Sequence, residues 1–215
     1  MVRKKIKENT ITILRKRSES MASLITHIFI TSKLKEIYDL PNEILLGCIL
    51  PDIEKKVGIK TKNKSHYINE EDNFLPDINL YIEIHKNMDA ISTGILFHLI
   101  QDRIWYEMLN SFKSPKEQDK EFASLIYSDM DLCDNFILQE TKTTNEEFYT
   151  LKKSLIEMTD TDIIKKGISE NLKIRQVNTK KENFITIEAY RKYLNKAFDE
   201  CQKYYQKERK TLNEL

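Results

Sequence analysis

Apolar residues recur along this chain at intervals of three and four, the spacing that lines one face of an α-helix. From Ser23 to about Tyr38 the positions Leu24, Ile30, Leu34 and Ile37 keep that spacing, and His27 lies in the same row. NEILLGCIL predicts a short helix that Pro51 stops, leaving Asp52 in the turn just beyond. Residues 55–73 are polar and aperiodic, the pattern of a surface loop, and contain Ser65 and His66. Asp77 to Lys86 predicts another short helix with His85 near its end. The following helix, capped by Asp89 or Ser92, aligns Ile91, Ile95, His98, Asp102, Trp105 and Leu109 in one row.

The second half continues the helical pattern. EQDKEFASLIY is followed by SDMDLCDNFILQE, and Thr144 with Glu147 forms a capping box at the start of TTNEEFYTLKKSLIEM. A last long helix is predicted from about Ile187 towards Arg209, with Tyr190, Leu194, Ala197, Cys201 and Tyr204 as its stripe. Only four glycines and four prolines punctuate 215 residues, too few for a chain of strands and hairpins. The expectation is an all-α fold, a single multi-helix domain over residues 21–215. Residues 1–20 read as a basic extension, either flexible or ahead of a start at Met21.

Composition removes several function classes. Lysine plus arginine number 35 against 34 acidic residues, so with a net charge of +1 no stable nucleic-acid or membrane association is implied, and any such binding would have to be local. Cys48, Cys133 and Cys201 are odd in number and widely spaced, which argues against a disulfide framework or a thiolate zinc site and makes them small buried hydrophobes. No apolar run approaches the roughly 20 residues of a membrane span, and the basic start has no apolar leader core. A cytoplasmic protein is expected.

The candidate chemistry lies on inward faces. Burying the Asp102 carboxylate is costly unless a cation, a dense hydrogen-bond shell or a metal compensates it. His27, Asp52, His66, His98 and Asp102 all fall in the first half, at helix-face or turn positions directed to a common core. Alone, each reads as a hydrogen-bonded core histidine or a turn aspartate. Together, imidazole and carboxylate suit zinc, and five ligands exceed the four positions of one tetrahedral ion. Two adjacent metals sharing a bridging carboxylate would use them better. His85, in the polar setting EIHKN, reads as a surface residue, and the lysine and glutamate runs near the C-terminus as solvated helix faces.

The ordered elements THIFI, CILPDIE, SHY and GILFHLIQD resemble the zinc-dependent phospholipase C family, all-α enzymes related to single-strand-specific zinc nucleases. The resemblance covers roughly residues 21–110. It implies a phospholipase C-like domain in which Asp52, His66, His98 and Asp102 bind one zinc, while His27 binds a second bridged by Asp102. It also implies a metal-activated water that cleaves a phosphodiester, with Asp52 as the residue that holds or deprotonates this water. Two features depart from the family pattern. The terminal tryptophan that completes one of the family's zinc sites is missing, and no histidine follows His98 to build a third site. Glu107, Asp129 and Asp131 could substitute there in part, although SDMDLCD also reads as a helix cap with surface charge. Trp105 reads as core packing or as a cleft wall.

Two functions therefore stand as expectations. The first is a metal-dependent phosphoester hydrolase acting on a phosphate-ester substrate, with one complete zinc site and an incomplete second. The alternative is a catalytically degenerate metal-binding structural or interaction protein of the same fold.

Overall fold

A computed structural model of the chain describes residues 22–69, 75–111, 120–175 and 182–213; the basic extension over 1–20 lies outside these. The fold is all-α. Its helices are α1 (Leu24–Tyr38), α2 (Glu43–Gly47), α3 (Leu50–Lys56), α4 (Lys62–Ser65), α5 (Ile78–Ile84) and α6 (Ala90–Ser111), then α7 (Lys120–Glu140), α8 (Asn145–Glu157), α9 (Asp162–Asn171) and α10 (Ile187–Asn213). Among the described residues the only sheet is a two-residue antiparallel ladder, β1 (Ile68–Asn69) with β2 (Leu75–Pro76). No described helix is long and apolar enough to cross a membrane.

The core is organised around α6, whose middle carries Leu96, Phe97, Leu99 and Ile100 in full burial together with His98 and Asp102. Helix α2 lies directly on it through two glycines. A Cβ at Gly47 would sit 2.2 Å from the Ile91 carbonyl oxygen, and one at Gly94 would sit 2.2 Å from the Ile44 carbonyl oxygen. Only glycine at both positions lets the two backbones touch. Helix α10 also packs on α6, burying Tyr190, Tyr193, Ala197 and Cys201, and the ring of Trp105 meets Tyr190 and Tyr193 edge-on. Trp105 is therefore a packing residue. All three cysteines are buried and free.

Local sequence explains most element ends. Ser23 caps α1 by accepting from the Thr26 N–H, and Asp39 closes it in the left-handed region with φ 50°. Asp89 accepts from the Ser92 N–H at the start of α6, which makes Asp89 the capping residue. The Thr144–Glu147 capping box is present with both of its reciprocal bonds.

Four expectations need correction. Pro51 does not leave Asp52 in a turn: it occupies the first turn of α3, where its missing N–H costs nothing, and Asp52 is part of that turn. The segment 55–73 is not a plain loop, since it holds the end of α3, α4 and β1. SDMDLCD contains no helix start, because α7 runs unbroken through it. Ile37, placed on the apolar stripe of α1, is 57% exposed near the helix end. Helix α9 adds to the elements that the pattern predicts; its Gly167 lies against Ile53 and Val57 of α3 and its C-cap, and TDIIKKGISEN is short and interrupted by that glycine.

Candidate metal centre

Three helices and one turn deliver five ionisable side chains to one buried place. His27 comes from α1, Asp52 from α3, His66 from the C-cap of α4, and His98 and Asp102 from successive turns of α6. Each is at most 5% exposed. Ligand atoms of Asp52, His66 and His98 lie within 4.8 Å of one another, as do those of His27, His98 and Asp102. The His27 and His98 rings are 4.0 Å apart between centroids.

Asp102 spans the two groups. Its Oδ1 lies 3.4 Å from His27 Nε2, whereas its Oδ2 lies 3.1 Å from His98 Nε2 and 3.6 Å from His66 Nε2. Asp52 Oδ1 is 3.4 Å from His66 Nε2. The backbone N–H of Ala22 approaches Asp102 Oδ1 at 3.4 Å.

Each histidine is held from behind by its other nitrogen. His98 Nδ1–H donates to the Cys48 carbonyl at 2.8 Å, a contact available because Gly47 and Gly94 let α2 lie on α6. His27 Nδ1–H donates to Gln101 Oε1 at 3.0 Å, with the Gln101 amide turned to Thr31 Oγ1. Ser65 Oγ gives its proton to the Lys62 carbonyl and so accepts from His66 Nδ1–H at 2.7 Å. These bonds select the Nδ1–H tautomer three times, leaving each Nε2 with an inward lone pair. His27 Nε2, His66 Nε2, His98 Nε2 and Asp102 Oδ2 complete no hydrogen bond although they are buried. Such orphaned acceptors are costly in a protein interior, and a cation held within either of the two overlapping groups would satisfy those that face it. The donor set therefore fits a metal ion. Tyr67, the residue after His66, has φ 50°, and this left-handed turn of a non-glycine residue leads the chain away from the cluster into β1.

Charge in the cluster follows the same logic. Burial pushes the carboxyls of Asp52 and Asp102 up, but the histidines beside them overcome it and hold both below the usual carboxylate range. Burial pulls the His66 imidazole down, only partly offset by Asp52, while for His98 the adjacent Asp102 outweighs burial and raises it. The aspartates are thus held anionic, ready to meet a cation.

Asp52 also lines a cavity of about 120 Å³, together with Lys55, Lys56, Asp134, Lys173 and Arg175. The three further acidic positions do not join the metal-ligand groups found among the described residues. Glu107 pairs with Lys196 on the surface at 2.7 Å. Asp129 is fully buried, but its oxygens accept from the N–H groups of Asn183, Phe184 and Ile185 and from the Asn183 amide. It anchors the lead-in to α10 and has no lone pair to spare for an ion. Asp131 pairs with Arg175 at 3.3 Å at the cavity rim. His85 accepts from the Tyr67 hydroxyl through Nε2 at 2.9 Å and stacks on Tyr81, outside the cluster.

Sequence reasoning missed the supports Gln101 and the Cys48 carbonyl, and it missed Asp134. Asp134 had a legible signal, since Tyr127, Asp131 and Asp134 share one face of α7 at spacings of four and three. What fold and site define together is an all-α protein with a buried histidine–aspartate cluster able to hold a metal ion. No protein-family model matches the chain, and neither a curated protein nor a solved structure does.

Proposed function

We propose that this chain is a zinc-dependent phosphoric ester hydrolase, with the metal held by Asp52, His66, His98 and Asp102 and a second, weaker position between His27 and Asp102. The observation that carries the reading is the convergence of three inward Nε2 atoms, none hydrogen-bonded, on one buried aspartate beside an open cavity. Imidazole and carboxylate together suit zinc, whereas calcium and magnesium take oxygen ligands. A divalent metal bound there supplies Lewis-acid charge and lowers the pKa of water to about 7.

The chain's own groups do the rest. Asp52 reaches both the cluster and the cavity wall, so it orients the attacking water and accepts its proton. Lys55, Lys56, Lys173 and Arg175 draw an anionic ester towards it. The ordered elements that resemble zinc-dependent phospholipases C support a phosphodiester as the substrate class. A purely structural four-ligand site needs neither His27 nor a cavity at its edge, and this favours the hydrolase over a degenerate metal-binding scaffold.

The test is metal analysis of the purified chain followed by assay with bis(p-nitrophenyl) phosphate. The expected result is about one tightly held zinc per chain and hydrolysis that a chelator removes and zinc restores. A preparation that binds no zinc and hydrolyses no phosphoester sinks the proposal.

A further inference from the structure

The cavity beside Asp52 has a second carboxyl on its wall that the metal cluster does not use. Asp134 of α7 lines it, and its Oδ1 accepts a hydrogen bond from the Ser23 hydroxyl. Ser23 Oγ in turn contacts Thr26 Oγ1 at 2.9 Å, and Thr26 Oγ1 contacts the Tyr190 hydroxyl at 2.7 Å. The carboxyl is therefore fixed by a chain of hydroxyls running from α1 to α10. Among the described residues no lysine or arginine closes an ion pair on it; Arg175, which lines the same cavity, pairs with Asp131.

Resting on the hydrolase reading, we propose that Asp134 is the general acid that protonates the leaving group of the ester bound in this cavity. The geometry gives it that place: Asp52 and Asp134 share one cavity of about 120 Å³, so a phosphoryl group seated between them has water on the Asp52 side and its leaving oxygen on the Asp134 side. When the bond from phosphorus to the ester oxygen breaks, the electron pair stays on that oxygen. The Asp134 proton moves to it and an alcohol departs. The proton taken from the attacking water by Asp52 passes to solvent, and solvent reprotonates Asp134, so the cycle closes as hydrolysis without another reactant.

The electrostatic setting agrees. Burial pushes the Asp134 carboxyl up to about 7, with Asp131 adding to the rise and the Ser23 hydroxyl and Arg175 opposing it. The charged and titratable groups facing it are Asp131 and Tyr127 on its own helix, Asp52, Lys55 and Lys56 from α3, Lys173 and Arg175 after α9, and Tyr190 from α10. A carboxyl that stays protonated near neutral pH is what acid catalysis at pH 7 requires.

Two measurements on the zinc-loaded full chain decide it. Wild type and Asp134→Asn are compared on a p-nitrophenyl phosphodiester, whose leaving group needs no proton, and on an alkyl phosphodiester, whose leaving group does. The variant should lower the ratio of alkyl to p-nitrophenyl kcat about 100-fold, in the range typical of a lost general acid. It should keep its zinc and lose the basic limb of the alkyl pH profile. Equal loss on both esters, no loss on the alkyl ester, or loss of zinc overturns the proposal. The second measurement is a carbon-13 titration of the Asp134 carboxyl in wild type, which does not depend on how the variant folds: a midpoint near 7 supports the role, and one below about 5, close to an ordinary carboxyl, overturns it. A wild type silent on both esters refutes the hydrolase reading itself, and the role with it, whereas an active wild type with an unaltered ratio in the variant refutes only the role of Asp134.

Discussion

His98 and Asp102 stand one turn apart on α6 with Nε2 3.1 Å from Oδ2, and neither atom completes a hydrogen bond. The other oxygen of Asp102 turns to His27, so one carboxylate faces two groups of histidines. Asp102→Asn keeps the shape but removes the charge and puts an N–H₂ where an acceptor stood. Zinc retained after dialysis should fall at least tenfold, in line with the loss of a charged ligand. His85→Ala is the matched control. It should keep its zinc, while losing the bond to Tyr67 and the stacking on Tyr81 at about 1–2 kcal/mol of stability in urea unfolding. Full zinc content in Asp102→Asn would show that the pair is only structural.

The two metal positions should separate by affinity. His27→Ala removes one ligand from the second position and leaves Asp52, His66, His98 and Asp102 in place, so the variant should bind one zinc tightly and lose the weaker equivalent in a calorimetric titration. In wild type, zinc at 100 times its dissociation constant should add about 2.7 kcal/mol to unfolding. No rise in melting temperature on adding zinc would contradict a native-state metal site.

Much of this architecture is legible in the sequence because helix periodicity is a local signal. The row through His98 and Asp102, the inward His27, the capping box at Thr144 and the stripe of α10 need only spacing. Asp52 is misplaced by the pattern because Pro51 can end one helix or begin the next, and the chain uses it to begin α3. The supports of the cluster are illegible for a different reason. The Cys48 carbonyl that fixes His98 is a backbone atom, and it arrives through a glycine-to-glycine contact between α2 and α6 that no linear pattern records. Asp129 reads as a cap or a stray ligand, because its four donors lie more than fifty residues away.

Gly94→Ala tests that contact. The new methyl would meet the Ile44 carbonyl oxygen at 2.2 Å, and a backbone atom cannot swing aside like a side-chain tip. The helices must separate, at a cost of about 3 kcal/mol, the upper part of the usual overpacking range. Because the same separation draws the Cys48 carbonyl away from His98, zinc affinity should fall too, measurable by chelator competition. Unchanged stability and affinity would show that α2 and α6 approach each other less closely than these distances require.

Asp129→Ala should be destabilising without touching the metal. It strands the N–H groups of Asn183, Phe184 and Ile185 and releases the segment that leads into α10. With several donors left unpaired, the cost should be about 2–4 kcal/mol, while zinc per chain stays at the wild-type value. A variant that folds normally but loses zinc would instead make Asp129 a ligand.

Asp134 predicts the direction in which stability changes with pH. Its folded pKa is raised from 3.8 to about 7, so between these values the native state holds a proton that the unfolded chain has released. The unfolded state then binds fewer protons, and the free energy of unfolding falls as pH rises through that window. The stabilising contribution is complete below the unfolded value and gone above the folded one, opposite to an ion-paired carboxylate. A tenfold difference in proton affinity between the two states is worth about 1.4 kcal/mol, and because the carboxyl borders a cavity open to solvent, about 1–2 kcal/mol of stability should be lost across the window. Asp134→Asn cannot titrate and should lack this decline. Urea unfolding of both proteins with a chelator present cancels the histidine cluster, which is common to the two, and isolates the difference. If the gap between wild type and variant is flat from pH 4 to pH 8, the Asp134 carboxyl is an ordinary ionised surface group.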